Sequence, residues 1–270
     1  MNLFDNSAIL LAKSLTKRLV NYRHEQWVAR PPRHDDLYVV SFPKSGATWI
    51  NFLMANIHLR ASKVDRTVTF FNVHDLVPDI HHTRDIRSNI LPFPGYRVIK
   101  SHAEYNPYYQ KVIYVVRDPR DAMVSYFHFL RGLGAFEGDF STLVRSREYG
   151  INAWCRHVHG WVELSPARQS FTFVRYEDLK KETMATVTRM YALMGHQLDD
   201  TILRGAIEAS SFDNMRALEQ EYGYGGRDVS RRLKFVRKGK AGGWKEEVAE
   251  ADVEYIKQIA AKWMARFGYE

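Results

Sequence analysis

Lysine, serine, glycine and threonine crowd into one short stretch, Pro43-Lys44-Ser45-Gly46-Ala47-Thr48-Trp49. These are the ingredients of an oxyanion site. Lys44 brings charge, Ser45 and Thr48 bring hydroxyl donors, and Gly46 lets the backbone approach a ligand closely. The stretch is not a Walker A loop, which needs Gly-x-x-x-x-Gly-Lys-Ser/Thr; here the lysine precedes the glycine. A second stretch, Arg117-Asp118-Pro119-Arg120-Asp121, offers a guanidinium suited to bidentate phosphate binding, with Ser125 following on the same segment. Taken alone, Arg117 reads more simply as a surface partner of Asp118 or Asp121.

A third basic cluster spans residues 227–245: Arg227, Arg231, Arg232, Lys234, Arg237, Lys238, Lys240 and Lys245, against one acid, Asp228. Gly239, Gly242 and Gly243 punctuate it, so it reads as a loop rather than a helix face. Three separated anion sites suggest a ligand with more than one phosphate-like group, such as an adenosine carrying phosphates at both ends. Between the first two lies Lys100-Ser101-His102. A lone strand-end histidine is usually structural, but it is also the side chain that titrates near neutrality and can act as a general base.

These residues need elements to hold them. Leu37 to Phe42 is a short apolar, β-branched run and predicts a buried strand; Pro43 to Gly46 breaks it, and Thr48 to Leu59 reads as a helix. The same unit recurs, with a strand over Lys111–Val116, a turn at Arg117–Asp121, and a helix over Ala122–Leu130 with Pro119 near its start. Further strands are predicted at Arg97–Lys100 and Phe171–Arg175, and a final helix carries Val253, Ile256, Ala260, Trp263 and Phe267 on one face. Strands alternating with helices predict an α/β single domain: a central parallel sheet flanked by helices, with P-loop-like strand–turn–helix phosphate sites. Residues 1–30 end in an amphipathic helical pattern with Leu11, Leu15 and Leu19, expected to pack on the domain. Residues 62–94 form an irregular insertion rich in aromatics and histidines.

The chain has 270 residues, enough for one large core, and its 39 basic and 31 acidic side chains leave a net charge of +8. A basic balance calls for an anionic partner without saying which. A single cysteine, Cys155, excludes an intramolecular disulfide framework and a thiolate cluster. Cys155, His157 and His159 lie on a helical pattern where alternate residues diverge, so no metal is expected there. No apolar run reaches the length of a membrane span, and no signal peptide is expected.

Five motifs in order resemble the cytosolic-type sulfotransferases. The stretch Pro43–Trp49 resembles their 5′-phosphosulfate loop, and Arg117-Asp118-Pro119-Arg120-Asp121-Ala122-Met123-Val124-Ser125-Tyr126-Phe127-His128-Phe129 resembles their 3′-phosphate motif. Arg237-Lys238-Gly239-Lys240-Ala241-Gly242-Gly243-Trp244-Lys245 resembles their C-terminal signature, Lys100-Ser101-His102 stands where the family has Lys-Thr-His, and Tyr176-Glu177-Asp178-Leu179 matches a Tyr-Glu-Asp segment.

The resemblance implies an enzyme that moves a sulfuryl group from 3′-phosphoadenosine 5′-phosphosulfate (PAPS) to a hydroxyl or amine of a small-molecule, lipid or carbohydrate acceptor, releasing PAP. It implies that Lys44, Ser45, Gly46, Ala47 (through its backbone), Thr48 and Trp49 hold the 5′ end. Arg117, Ser125, Arg237, Lys238 and Gly239 would hold the 3′-phosphate; Tyr176, Ser210, Phe212 and Phe235 would complete the adenosine site. His102 would be the general base, Lys44 would stabilise the leaving PAP, and Lys100 and Ser125 would complete the catalytic group, with no metal required. Phe70, Phe71, His74, His81, His82, Tyr105 and Tyr108 are acceptor-side candidates whose other role is core packing.

Three departures stand out. Ala47 replaces a threonine of the family loop, Gly243 replaces the signature aspartate, and Ala249-Glu250 interrupts the short dimer motif between Lys245 and Glu254. A homodimer is therefore possible but not by that motif intact. Cytoplasm is the expected location, because PAPS is made there. No nucleic-acid partner is expected; the competing reading is a nucleotide- or polyanion-binding protein without sulfuryl transfer, which would use the basic loop alone and leave Lys44, His102 and Arg117 unexplained.

Overall fold

The computed structural model describes residues 35–80, 97–164, 170–224 and 233–269. The amphipathic pattern of residues 1–30, His81 and His82, the end of the 62–94 insertion, and Arg227 to Arg232 of the basic cluster lie outside the described residues.

Among the described residues four strands form one parallel sheet: β1 (Asp36–Ser41), β2 (Arg97–Ser101), β3 (Lys111–Val116) and β4 (Ser170–Arg175), in the order β2-β1-β3-β4. The alternation along β1 explains why it is buried on both sides. Tyr38 and Val40 join a core with Trp154, Trp161, Ile256 and Trp263, while Leu37 and Val39 join a second core with Phe52, Leu53, Met190 and Leu203. Successive side chains point to opposite faces, so a central parallel strand needs apolar residues at every position.

The first face is covered by α3 (Pro119–Gly132), α4 (Phe140–Arg145), α5 (Ile151–Leu164) and α10 (Glu250–Phe267). The other is covered by α1 (Ala47–Ala61), α2 (Val73–Leu76), α7 (Thr183–Leu193) and α8 (Asp200–Ala209). Two further helices, α6 (Tyr176–Lys181) and α9 (Phe212–Tyr222), bracket the ends of this layer, and a 3₁₀ turn runs over Gly243–Glu246. The face read from the last helix is the buried one: Val253, Ile256, Ala260, Trp263 and Phe267 all lie inside. Among the described residues, no helix is long and apolar enough to cross a membrane.

The strand order places the site. From β1 the chain goes to one neighbour, β2, and then crosses to the other, β3. The connections leaving β1 and β3 therefore part company, opening a crevice beyond their carboxyl ends, where ligands of open α/β sheets bind. The buried Asp36–Arg97 pair, at 2.5 Å, ties the far ends of β1 and β2 together. The insertion is less irregular than its sequence suggests. Residues 78–80 extend the sheet beside β2, with the Lys100 N–H donating to the Pro78 carbonyl and the Ile80 N–H to the Lys100 carbonyl.

Candidate active site

Each strand delivers its next residues to the same end of the sheet. Beyond β1 come Lys44 to Trp49, beyond β2 comes His102, beyond β3 comes Arg117, and beyond β4 comes Tyr176. All these segments border one cavity of about 320 Å³, closed on its remaining side by Phe212, Phe235 and the loop Arg237–Lys240.

The β1–α1 turn is strained and open to an anion. Lys44 has φ 66° and Gly46 φ 105°, both left-handed, which a non-glycine residue such as Lys44 adopts at a cost of about 1 kcal/mol. Arg117 holds Lys44 in place by donating from Nη1 to its carbonyl at 3.1 Å. Among the described residues no side chain caps α1, its first turn holds no acid, and Gly46 to Trp49 line the cavity, so its N–H groups and positive dipole end are available to an anion there. The N-terminus of α3 contrasts with it: Asp118 accepts from the Arg120 N–H and forms an ion pair with the Arg120 side chain at 2.7 Å. The carboxylate of Asp118 is thus engaged away from Arg117.

Arg117 is not a surface residue. Its side chain is 12% exposed, stacks 4.4 Å from the Tyr176 ring centre, and donates from Nη2 to the Lys240 carbonyl at 3.1 Å. The nearest acid, Asp121, stands 4.0 Å away and is committed elsewhere, accepting the N–H groups of Gly242 at 2.6 Å and Trp244 at 2.9 Å. Asp121 thereby docks the C-terminal loop onto α3. Gly243 lies beside it: an added Cβ would come 3.7 Å from the Asp121 carboxylate, so the missing signature aspartate would meet a like charge there.

Lys44 points its ammonium into an aromatic cage, 3.6 Å from the Phe235 ring centre and 4.3 Å from that of Phe129. Burial, then the neighbouring charges of Lys100, Arg117 and Arg237, hold its pKa well below the usual lysine value, with Glu219 opposing them. Lys100 itself is less available than its position implies. Its Nζ pairs with the buried Asp79 at 2.7 Å, so part of its charge is already neutralised. Burial works against ionisation of Asp79, but Lys100, His102 and His74 together bring its carboxyl below the usual range.

His102 accepts its orientation from β1. Nδ1 lies 2.8 Å from the Ser41 carbonyl, with the Ser41 hydroxyl at 3.3 Å. A carbonyl can only accept, so Nδ1 carries the proton and a neutral ring has its lone pair on Nε2.

Most of the residues named from sequence come together. Lys44, Gly46, Ala47, Thr48, Trp49, Lys100, His102, Arg117, Ser125, Tyr176, Phe212, Phe235, Arg237, Lys238 and Gly239 border the cavity. Ser45 and Ser210 are buried beside it. The Ser45 hydroxyl has no hydrogen-bond partner among the described residues; Ser210 accepts from Asn56 at 3.0 Å through its hydroxyl and from Trp49 at 2.9 Å through its carbonyl. Gly46 and Gly239 are required where they stand, because an added Cβ would lie 2.6 Å from the Tyr176 ring and 2.4 Å from the Phe212 ring respectively.

The acceptor-side candidates fare differently. Phe70 is buried against Phe52, Tyr224 and Phe235, Tyr105 packs edge-on to Trp161, and Phe71 and Tyr108 are exposed. His74 bonds the Val77 carbonyl. Cys155 and His159 point to separate partners, the Ile259 carbonyl and Glu163, and His157 bonds the Tyr114 hydroxyl.

The basic loop is partly neutralised from just beyond its own segment: Glu246 and Glu247 fold back onto it and pair with Arg237, Lys238 and Lys240. Sequence reasoning also missed Tyr126, Phe129, Met215 and Tyr224 on the cavity wall. Helical spacing carried part of that signal. Asp121, Ser125 and Phe129 share one face of α3, and Phe212, Met215 and Glu219 share one face of α9.

An oxyanion-bearing nucleotide fits this wall. The open helix end can donate to it, as can the Ser45 hydroxyl and Arg117 Nε, which make no hydrogen bond among the described residues.

The sulfotransferase domain model matches residues 34–268. The chain is 27% identical over 260 residues to the amine sulfotransferase of Oryctolagus cuniculus, covering 87% of this chain and 82% of that protein. It is 28% identical over 255 residues to the flavonol 3-sulfotransferase of Flaveria bidentis, covering 83% and 80%. Among solved structures, mouse sulfotransferase SULT7A1 complexed with PAP superposes with a TM-score of 0.66 at 22% identity, covering 89% of this chain and 88% of that one. Retinol dehydratase in complex with androsterone and PAP follows at 0.63 and 19% identity, covering 90% and 85%.

Proposed function

Because the chain belongs to the sulfotransferase family, we propose that the cavity binds PAPS and passes its sulfuryl group to a hydroxyl or amine of a small-molecule acceptor. The observation that carries this reading is the convergence of four strand ends, bearing Lys44, His102, Arg117 and Tyr176, on one cavity. The turn at Lys44–Thr48 and the open end of α1 receive the 5′ end, Trp49 and Tyr176 flank the base, and Arg117, Ser125, Arg237 and Lys238 take the 3′-phosphate.

Transfer is an in-line displacement, so positioning and charge carry most of it. His102, with its proton on Nδ1, takes the acceptor proton at Nε2 as the new bond to sulfur forms. The bond from sulfur to the 5′-phosphate oxygen breaks, and Lys44 stabilises the charge that collects there. Lys100, paired with Asp79, contributes less to that field. Relatives named for amine and flavonol acceptors support a small-molecule acceptor; the cytoplasm is the compartment this donor implies.

Calorimetry with PAP, with ATP and heparin as controls, tests the reading. Tight PAP binding that is lost in Arg117→Ala supports it. Binding of heparin without preference for PAP overturns it.

A further inference from the structure

The cations expected to grip the 3′-phosphate already have an anion of their own. Beyond Trp244 the 3₁₀ turn Gly243–Glu246 reverses the chain and lays Glu247 against the start of the loop. One Glu247 oxygen lies 2.6 Å from Arg237 Nη1 and 2.7 Å from Lys238 Nζ; the other lies 2.6 Å from His128 Nε2. Three basic groups from two parts of the chain converge on one carboxylate. Although burial opposes its charge, these contacts hold its pKa down at about 2. Glu246 adds a looser contact, 3.0 Å from Lys238 and 3.9 Å from Lys240. Exposure separates the two acids: the Glu247 side chain is 20% exposed and Glu246 58%. Solvent screens the second pair far more than the first.

We infer that Glu247 is an internal counter-anion that exchanges with the donor's 3′-phosphate on Arg237 and Lys238, and so sets how tightly the nucleotide is held. The inference rests on the donor reading above. A carboxylate offers one charge and two oxygens; a phosphate monoester offers nearly two charges and three oxygens, so it can displace the carboxylate from the same donors. A 3′-hydroxyl has no such claim and leaves the Glu247 contacts intact. Every 3′-phosphonucleotide that enters must therefore break contacts that a 3′-hydroxyl nucleotide does not. The same carboxylate returns when PAP departs, which favours product release, a step that limits turnover in many enzymes. Glu247 acts through Arg237 and Lys238 and is a positioning residue.

The test compares the full chain with Glu247→Gln and Glu246→Gln, measuring PAP and adenosine 5′-monophosphate by calorimetry and PAP dissociation by stopped flow. Glu247→Gln is expected to bind PAP about two- to fivefold more tightly, chiefly through slower dissociation, the worth of about one partly exposed ion pair. Adenosine 5′-monophosphate should change by less than about twofold, and Glu246→Gln should have the smaller effect on PAP. A carboxylate that merely props up the loop would give the opposite sign, because its loss would weaken PAP. Weaker or unchanged PAP binding in Glu247→Gln, with wild type binding PAP and the variant melting normally, overturns the inference. Absence of PAP binding in all three proteins overturns the donor reading, and the inference with it.

Discussion

The ammonium of Lys44 stands 3.6 Å from the centre of the Phe235 ring, so the principal cation of the β1–α1 turn rests on an aromatic face. A ring keeps the charge in place without neutralising it. Burial and positive neighbours meanwhile pull the amine toward its neutral form. A bound phosphate or phosphosulfate group reverses that pull, because an anion favours the protonated state. Between the free and bound pKa values, nucleotide binding must take up a proton, and affinity must fall as pH rises through the free value. PAP titrations in buffers of different ionisation enthalpy, repeated across a wide pH range, are expected to show this uptake in wild type and to lose it in Lys44→Met.

His102 touches Ser41 through Nδ1 and borders the cavity, so its removal should strike turnover alone. In His102→Ala, kcat is expected to fall about 10²- to 10⁴-fold. The PAP dissociation constant should stay within about twofold of wild type. An equal loss in both quantities would place His102 in binding instead.

Asp79 and Lys100 form a buried pair, and breaking one side leaves the other stranded. Asp79→Asn is expected to destabilise the protein by about 3–5 kcal/mol, and Asp79→Asn combined with Lys100→Met should recover much of that. The sign with pH follows from the depressed carboxyl pKa. Its stabilisation is present above the unfolded carboxylate value and disappears as pH falls below about 4 toward the folded value. Denaturant melts across pH 3 to 7 should show a shallower acid slope in the double variant.

Gly46→Ala places a methyl group 2.6 Å from the Tyr176 ring at a φ of 105°. We expect about 1–3 kcal/mol of lost stability and a PAP affinity reduced at least about tenfold, since the same turn shapes both. Thermal melts with and without PAP separate the two effects.

How much of this was legible beforehand follows from where the information sits in the chain. The strand–turn–helix units around Lys44 and Arg117 were readable because their signals are local: β-branched runs, breakers and a proline at the helix start. The predicted strand Lys111–Val116 matches β3 residue for residue. Asp79 was not readable as a partner of Lys100, nor Glu219 as the acceptor of the Phe235 and Val236 N–H groups, because nothing in sequence spacing marks a pairing that only the folded sheet and loop create. Glu246 and Glu247 were in plain view, but a charge run read linearly does not show that the 3₁₀ turn folds it onto itself.

The cavity draws its wall from residues between 43 and 243, with the end of every described strand contributing. Assembly of the binding surface and assembly of the domain are therefore the same event, and no excised fragment would retain it. The nucleotide becomes a folding ligand: at a hundredfold excess over its dissociation constant it would add about 2.7 kcal/mol to the native state. The lifetime of the protein during a shortage of donor and product would then be set by how often the whole sheet opens, which makes nucleotide supply a control on the abundance of the chain as well as on its turnover.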